Sequence, residues 1–413
     1  MTARPAIEVL GKIGCTLLCA ALFSIGVCAA DLPNHVIEDL QKRANAGDTR
    51  ALNELGWAYA NGKAIKRNEA EAFACFRKSA EAGDAAGMLA TAERYRTGLG
   101  VPANTGRAGE WSRKALAGFE TRAQSGDTQA MLALTAMYFR GRGTARDESP
   151  ARLWAVKAAE HGDLKGMTVA ALMLANNPDM EKRQQALRWA LTAAEAGEPT
   201  AMFAAAAIYD GGLAAVRDEA KARQWYRKSS EAGNVKAMIF MASKSDADKD
   251  DVEACKWLTK AAGARNIWAI SELGVRYLKG RGVAKDDTHA EKLIREAAYF
   301  GDARGMSNLG LAYATGRGGV EQDDEEAVRW YRQAADLGNA AALNNLGFMF
   351  ANGRGVAADP RQSIEYYRKA ADLGNADAMR NLGNVYRHGS GVPADAKVAD
   401  EWEQRARAAS ILH

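Results

Sequence analysis

One pattern recurs in a single register from residue 47 to near the end of the chain: G-(N/D)-x-x-A-(M/L)-x-x-L-G-x-x-(Y/F)-x-x-G-x-G. Its anchor glycines are Gly47, Gly83, Gly126, Gly162, Gly197, Gly233, Gly301, Gly338 and Gly374, and Arg265 stands where the seventh anchor falls. Most steps are 35 to 37 residues, and ten units are counted. A repeat of this length is one supersecondary module that buries its apolar face only against its neighbours, so the array is expected to stack in series.

The spacing inside a unit predicts two helices. Tyr59, Tyr95, Tyr138, Tyr209, Tyr277, Tyr313, Phe350 and Tyr386 each lie 12 residues after their anchor, with small or apolar residues at helical intervals between, which marks helix A. A large apolar residue follows 16 residues later, as in Tyr138 to Trp154, Tyr209 to Trp225 and Tyr386 to Trp402, and belongs to helix B. Between them sits Gly-x-Gly-Val, as in Gly280-Arg281-Gly282-Val283, whose glycines can take positive φ. An Asp or Ser then caps helix B, with proline at the first helical position in Ser149-Pro150 and Asp359-Pro360. Each anchor glycine ends helix B, and the Asp or Asn after it caps the next helix A.

The expected fold is therefore all-α, a right-handed α-solenoid of about ten two-helix repeats over residues 47–409, behind a capping helix within 31–46. Three units are irregular: 83–125, 162–196 and 233–264. The first carries 7 extra residues between Trp111 and Gly126. That is nearly two helical turns, so its helix B is expected to run on by about 10 Å with its packing face preserved. The second replaces its turn with Asn176-Asn177-Pro178, and the third lacks Leu-Gly, Tyr and Gly-x-Gly.

The pattern A-x-x-x-L-G-x-x-Y-x-x-G-x-G-V, followed by D, A, W-Y-R-K-A-A and A-G-(N/D), resembles the Sel-one-like repeat of bacteria and eukaryotes, a relative of the tetratricopeptide repeat. The 36-residue period and the Gly-x-Gly loop set it apart from a tetratricopeptide array of about 34 residues. The resemblance implies a non-catalytic protein-interaction scaffold. Proteins of this kind regulate envelope signalling, support exopolysaccharide or cell-wall assembly machinery, or contact host proteins. A cysteine-rich secreted branch carries a disulfide in each repeat, which this chain does not match.

The first 30 residues are separate from the repeats. Arg4 and Lys12 flank a polar start, Ile13 to Val27 is an apolar run of 15, and Cys28-Ala29-Ala30 closes it with small residues. This predicts a secretory signal peptide, and the run falls short of the roughly 20 residues of a membrane span. The processed protein is expected to be periplasmic or secreted and not an integral membrane protein. Losing Arg4, Lys12 and Glu8 with that segment changes the formal charge from +4 to +3, so no nucleic-acid partner is expected. Of five cysteines, Cys75 and Cys255 remain, five units apart, and are expected to be buried free thiols on helix B.

Signals for catalysis are poor. His35, His161, His289, His388 and His413 show no metal-ligand spacing, and neither H-E-x-x-H nor S-x-x-K occurs. The Gly-x-Gly turns recur in register without a Walker lysine, as turn constraints would. Asp246-Ala-Asp248-Lys-Asp250-Asp251 alternates carboxylates but lacks the glycine and glutamate of a calcium loop, and is expected to cap the next helix. No enzyme activity, metal or cofactor is expected. Met88, Met131, Met167, Met202, Met238, Met306 and Met379, all five after their anchors, are expected to fill the core. In Trp225-Tyr226-Arg227-Lys228, Trp330-Tyr331-Arg332 and Tyr366-Tyr367-Arg368-Lys369 the Trp is expected in the core and the Arg or Lys at its solvated edge.

What remains is surface. Stacked repeats curve, and the helix A side lines the groove used for partners. Seven after the anchor stand Glu54, Glu272, Asn308, Asn345 and Asn381, the last three in consecutive units. An asparagine row can clamp an extended peptide through paired donor and acceptor, with Leu311 and Phe348 as apolar anchors; equally, it can tie neighbouring repeats together. Arg142, Arg281, Arg317 and Arg354, between the turn glycines, form a candidate basic rim, although solvation alone also places arginines in loops. The expected function is an exported scaffold binding an extended peptide or partner protein in its groove. The alternative is binding of cell-wall glycan or exopolysaccharide, with a weak hydrolase activity behind it, which an exposed aromatic platform would mark.

Overall fold

A computed structural model describes residues 34–411 apart from 63, 64, 215, 318 and 319; the signal-peptide reading of residues 1–30 lies outside them. The described residues are helices and turns, with no strand among them. Helix α1 (Asn34–Asn45) leads in, and A and B helices then alternate. The first five pairs are α2 (Thr49–Asn61) with α3 (Glu69–Glu81), α4 (Ala85–Thr97) with α5 (Thr105–Gln124), α6 (Thr128–Arg140) with α7 (Glu148–Glu160), α8 (Leu164–Leu174) with α9 (Met180–Glu195), and α10 (Pro199–Gly211) with α11 (Glu219–Glu231). The second five are α12 (Val235–Ala247) with α13 (Asp251–Gly263), α14 (Ile267–Lys279) with α15 (Asp287–Tyr299), α16 (Ala303–Thr315) with α17 (Asp324–Asp336), α18 (Ala340–Asn352) with α19 (Pro360–Asp372), and α20 (Ala376–His388) with α21 (Ala396–Ile411). These form two compact units, one ending at Asn234 and the other starting at Val235, so the division falls at the irregular sixth repeat. Within each unit every helix packs on the next, as an α-solenoid requires.

Local chemistry accounts for the ends of these helices. Asp48, Asp127 and Asn339, each following an anchor glycine, accept backbone N–H groups at the start of α2, α6 and α18. Asp359 caps α19 with Pro360 at its first position. At α7 the cap is Asp147 rather than Ser149, because Asp147 already accepts the Ser149 N–H; Ser149-Pro150 lie inside the first turn, where proline lacks no needed donor. Asp250 caps α13, which settles one carboxylate of the acidic run. Helix α5 has 20 residues where most have 13, continuous through the 7-residue insertion, as its near-integral number of turns predicts.

At the anchor, Arg265 has φ +59, which a side chain rarely adopts. Relief of about 1–2 kcal/mol of left-handed strain outweighs the roughly 0.4–1 kcal/mol by which glycine loosens the unfolded chain. Arg265→Gly is expected to raise the urea midpoint of unfolding; a lower midpoint would mean that the arginine side chain contributes more than its backbone costs.

The Leu-Gly step explains the core. A Cβ on Gly310 would lie 2.8 Å from the Tyr331 ring, one on Gly347 2.5 Å from Tyr367, and one on Gly56 2.6 Å from Phe76. Helix A presents a bare backbone so that a helix B aromatic can press against it. This corrects the expectation for the aromatic-basic runs. The buried residues are Tyr226, Tyr331 and Tyr367, while Trp225, Trp330 and Tyr366 are half-buried. One step of about 100° along helix B brings Tyr331 and Tyr367 onto the glycine, and Tyr226, opposite a repeat without that glycine, packs on Phe203. Lys228 then covers Trp225, with its ammonium 4.5 Å from the ring centroid. Cys75 and Cys255 are buried free thiols, and burial pushes Cys75 up to about 11.

The capping carboxylates make stability sensitive to acid. Asp359 and Asp218 are held below the ordinary carboxylate range by backbone N–H groups of Gln362 and Lys221, and Asp324 by its hydrogen bond from Arg354. Their folded values lie below the unfolded value of about 3.9, so their contribution is complete above it and is lost as pH falls through the folded values. The urea midpoint is expected to drop once pH falls below about 4. Asp359→Asn, which keeps a capping oxygen, should flatten part of that slope; an unchanged slope would show that the capping carboxylates do not set it.

Candidate interaction site

The outward stripe of helix A lies at the third, seventh, tenth and fourteenth residues after the anchor, a spacing that keeps side chains on one helix face. On α16 it reads Arg304, Asn308, Leu311, Thr315, and on α18 Ala341, Asn345, Phe348, Asn352. Leu311 is 48% exposed and Phe348 45%, at matching positions of consecutive repeats, with Val275 half-buried one repeat earlier. In the third to fifth repeats the same positions are largely closed. Ala133, Val169 and Ala204 at the seventh and Leu172 and Ala207 at the tenth are buried, and helices α8 and α10 touch directly. Small residues let the A helices of the fourth and fifth repeats meet, while asparagines and larger apolar residues occupy the same positions of α16 and α18.

The amides are partly committed. Asn381 donates to Asn344 of the preceding repeat at 2.9 Å, and Asn345 hydrogen-bonds the Tyr331 hydroxyl of α17. Both bonds run between repeats, the alternative reading of the row, while Asn308 is half-buried on the same stripe. Glu272 lies 3.5 Å from the Arg276 guanidinium within α14.

The turn arginines reach back as struts. Arg354 donates to Asp324 at 2.9 Å and to the Ala314 carbonyl at 2.7 Å, and Arg281 donates to Asp251 at 2.7 Å; Asp324 and Asp251 are the first residues of the preceding B helices. Arg142 has only Glu93 at 3.7 Å, and Arg317 is exposed. Arg94 and Arg276, eleven after their anchors, went unnoticed as sequence features. Arg276 is 1% exposed, 2.6 Å from Asp246 and 3.8 Å from Asp251; Arg94 is 2.6 Å from Glu69 and lies over the Trp57 and Phe76 rings. The signal was an arginine where other repeats carry Ala58, Met137, Ile208 or Met349.

A sequence profile of the Sel1 repeat matches residues 49–84, 85–118, 126–163, 177–198, 199–234, 236–265, 269–302, 303–339, 340–375 and 376–409. The chain belongs to the Sel1 repeat family. The longer breaks between its Sel1 repeats fall at 119–125, the last turns of the lengthened helix, and at 164–176, ahead of the lost turn of the fourth repeat. The chain is 26% identical to c5321, a protective antigen of uropathogenic Escherichia coli displaying an SLR fold, over 91% of this chain and 90% of that one, with a TM-score of 0.57. It is 24% identical to a Sel1 repeat protein from Oxalobacter formigenes over 89% and 93% of the two chains, with a TM-score of 0.38. No curated protein sequence matches. The Sel1 repeat is a scaffold fold that generally serves protein interaction without catalysis. Among the described residues, no helix is long and apolar enough to cross a membrane.

Proposed function

We propose that the protein is an exported, non-catalytic scaffold of the bacterial envelope, periplasmic or secreted, that binds an extended segment of a partner protein on the helix A stripe of its second unit. The observation that carries this reading is the pairing of Leu311 and Phe348, exposed at matching positions of consecutive repeats and flanked by Asn308 and Asn345. Apolar anchors supply binding energy, and the amides satisfy a peptide backbone that would otherwise lose its hydrogen bonds to water. The exported location rests on the first 30 residues alone. A glycan would need a platform of several open aromatic rings; on this stripe Phe348 is one exposed ring, while Trp268 lies under the Arg304 guanidinium at 5.3 Å.

A photo-crosslinking amino acid at position 348, carried by the processed protein in envelope extract, would identify the partner for affinity measurements. Leu311→Ser with Phe348→Ser is expected to weaken that partner by at least tenfold, or about 1.4 kcal/mol, with little change in thermal stability. The triple change of Asn308, Asn345 and Asn381 to alanine should lower affinity and stability together, since two of the three amides already bridge repeats. Unchanged affinity in the Leu311/Phe348 double variant would send the search for the partner surface elsewhere.

A further inference from the structure

In regular junctions the second turn glycine presses on the first residue of the preceding helix B. A Cβ on Gly282 would lie 2.0 Å from the Asp251 carbonyl oxygen, on Gly355 2.1 Å from that of Asp324, and on Gly100 1.9 Å from that of Glu69. At the third repeat the same glycine, Gly143, presses instead on Ser112 (2.5 Å to its carbonyl oxygen), the eighth residue of α5. The docking point has slid by the seven residues inserted in that helix. The first two turns of α5 therefore overhang the next repeat, and beneath them lies a cavity of about 160 Å³.

Its floor is apolar or bare: Leu89 and Ala92 from α4, Ala108 and Gly109 from α5. Its rim is charged and partly exposed: Glu93, Arg96 and Arg142, with side chains 32%, 40% and 30% exposed. Two guanidinium groups share one carboxylate there. Arg96 donates to Glu93 at 2.9 Å, whereas Arg142 approaches it only to 3.7 Å. The slide explains why: the equivalents of Arg142, Arg281 and Arg354, meet an aspartate at the docking point, whereas here the docking point is the uncharged Ser112.

We infer that this notch is a binding site for an apolar carboxylate, one whose acid group is carried on a branched aliphatic or phenyl group. A cavity of about 150 Å³ holds a benzene ring, so one side chain of that size fills the floor while the acid group meets Arg142. A bidentate guanidinium–carboxylate pair supplies orientation as well as attraction. The C-terminal residue of a peptide and a free small acid share this chemistry.

The test uses the full processed chain and calorimetric titration with N-acetyl-leucine, with a hexapeptide ending in a free leucine carboxylate, and with the same hexapeptide amidated. Saturable binding of the two acids, and at least tenfold weaker binding of the amide, is expected. A peptide preference of tenfold or more over N-acetyl-leucine assigns a C terminus, and comparable affinities assign a small acid. Arg142→Gln should weaken both acids at least tenfold. Gly109→Leu should abolish binding by occupying the floor; a Cβ there meets only the end of Arg113, at 3.5 Å, so the variant is expected to fold. No saturable binding at millimolar acid, or binding that survives both substitutions, overturns the proposal.

Discussion

Replacing Gly355 by alanine should destabilise the second unit by about 3 kcal/mol, whereas the same change at Gly338 should cost only about 1 kcal/mol. Both glycines have positive φ, +64 and +78, so both variants meet left-handed strain. Only Gly355 also faces a wall: its Cβ would lie 2.1 Å from the Asp324 carbonyl oxygen, while nothing stands within 4 Å of a Cβ on Gly338. Backbone cannot rotate away as a side chain can, so overpacking adds about 1–3 kcal/mol. Urea denaturation of the two variants side by side measures the difference. Equal losses would show that adjacent repeats slide apart cheaply, and the close docking would then have no energetic weight.

Arg276→Met is expected to cost about 3 kcal/mol, near the lower end for a broken buried ion pair because its partners keep some water. The methionine conserves much of the volume, but Asp246, Asp251 and Glu272, respectively 31%, 36% and 26% exposed, lose their shared cation. Asp246→Asn in the same background should recover part of the loss, since it removes one of the repelling charges. A double variant no more stable than Arg276→Met would place the cost in packing rather than charge. The clasp also bears on the irregular sixth repeat. Lacking Gly-x-Gly, it passes from α12 to α13 through Lys249 at φ +62 and is fastened to the seventh repeat by Asp246 and Asp251.

Period-level features were legible in the sequence because every repeat states them again. The helix pairs, the caps after each anchor and the straight run of α5 follow from spacing, and one register error, at Ser149, came from preferring the residue next to proline over the aspartate two places earlier. The burial of Tyr331 rather than Trp330 was harder to see. It depends on which of two adjacent aromatics meets a glycine on another helix, information that no single segment holds. Roles of the turn arginines were least legible: the same Gly-Arg-Gly makes a strut at Arg281 and Arg354 and leaves Arg142 loosely paired, because the difference lies in the length of a helix some thirty residues upstream.

The overhang of α5 suggests how such arrays change size. Seven residues fall about 20° short of two full turns, so a heptad can enter a helix B while every residue beyond it returns to nearly its old azimuth. Here the heptad is residues 112–118: cutting it out would join Trp111 to Phe119, a Trp-aromatic pair like Trp330-Tyr331, and leave a helix of standard length. A cut of five residues would instead turn the remainder by about 140° and face its charges inward. Length variation among these helices should therefore come in packets of seven, each packet shifting the following repeats of its own unit by about 10 Å along the helix direction. A family of engineered chains carrying none, one or two packets at this place would form a graded series of shelves, with a recess whose depth is set by counting residues.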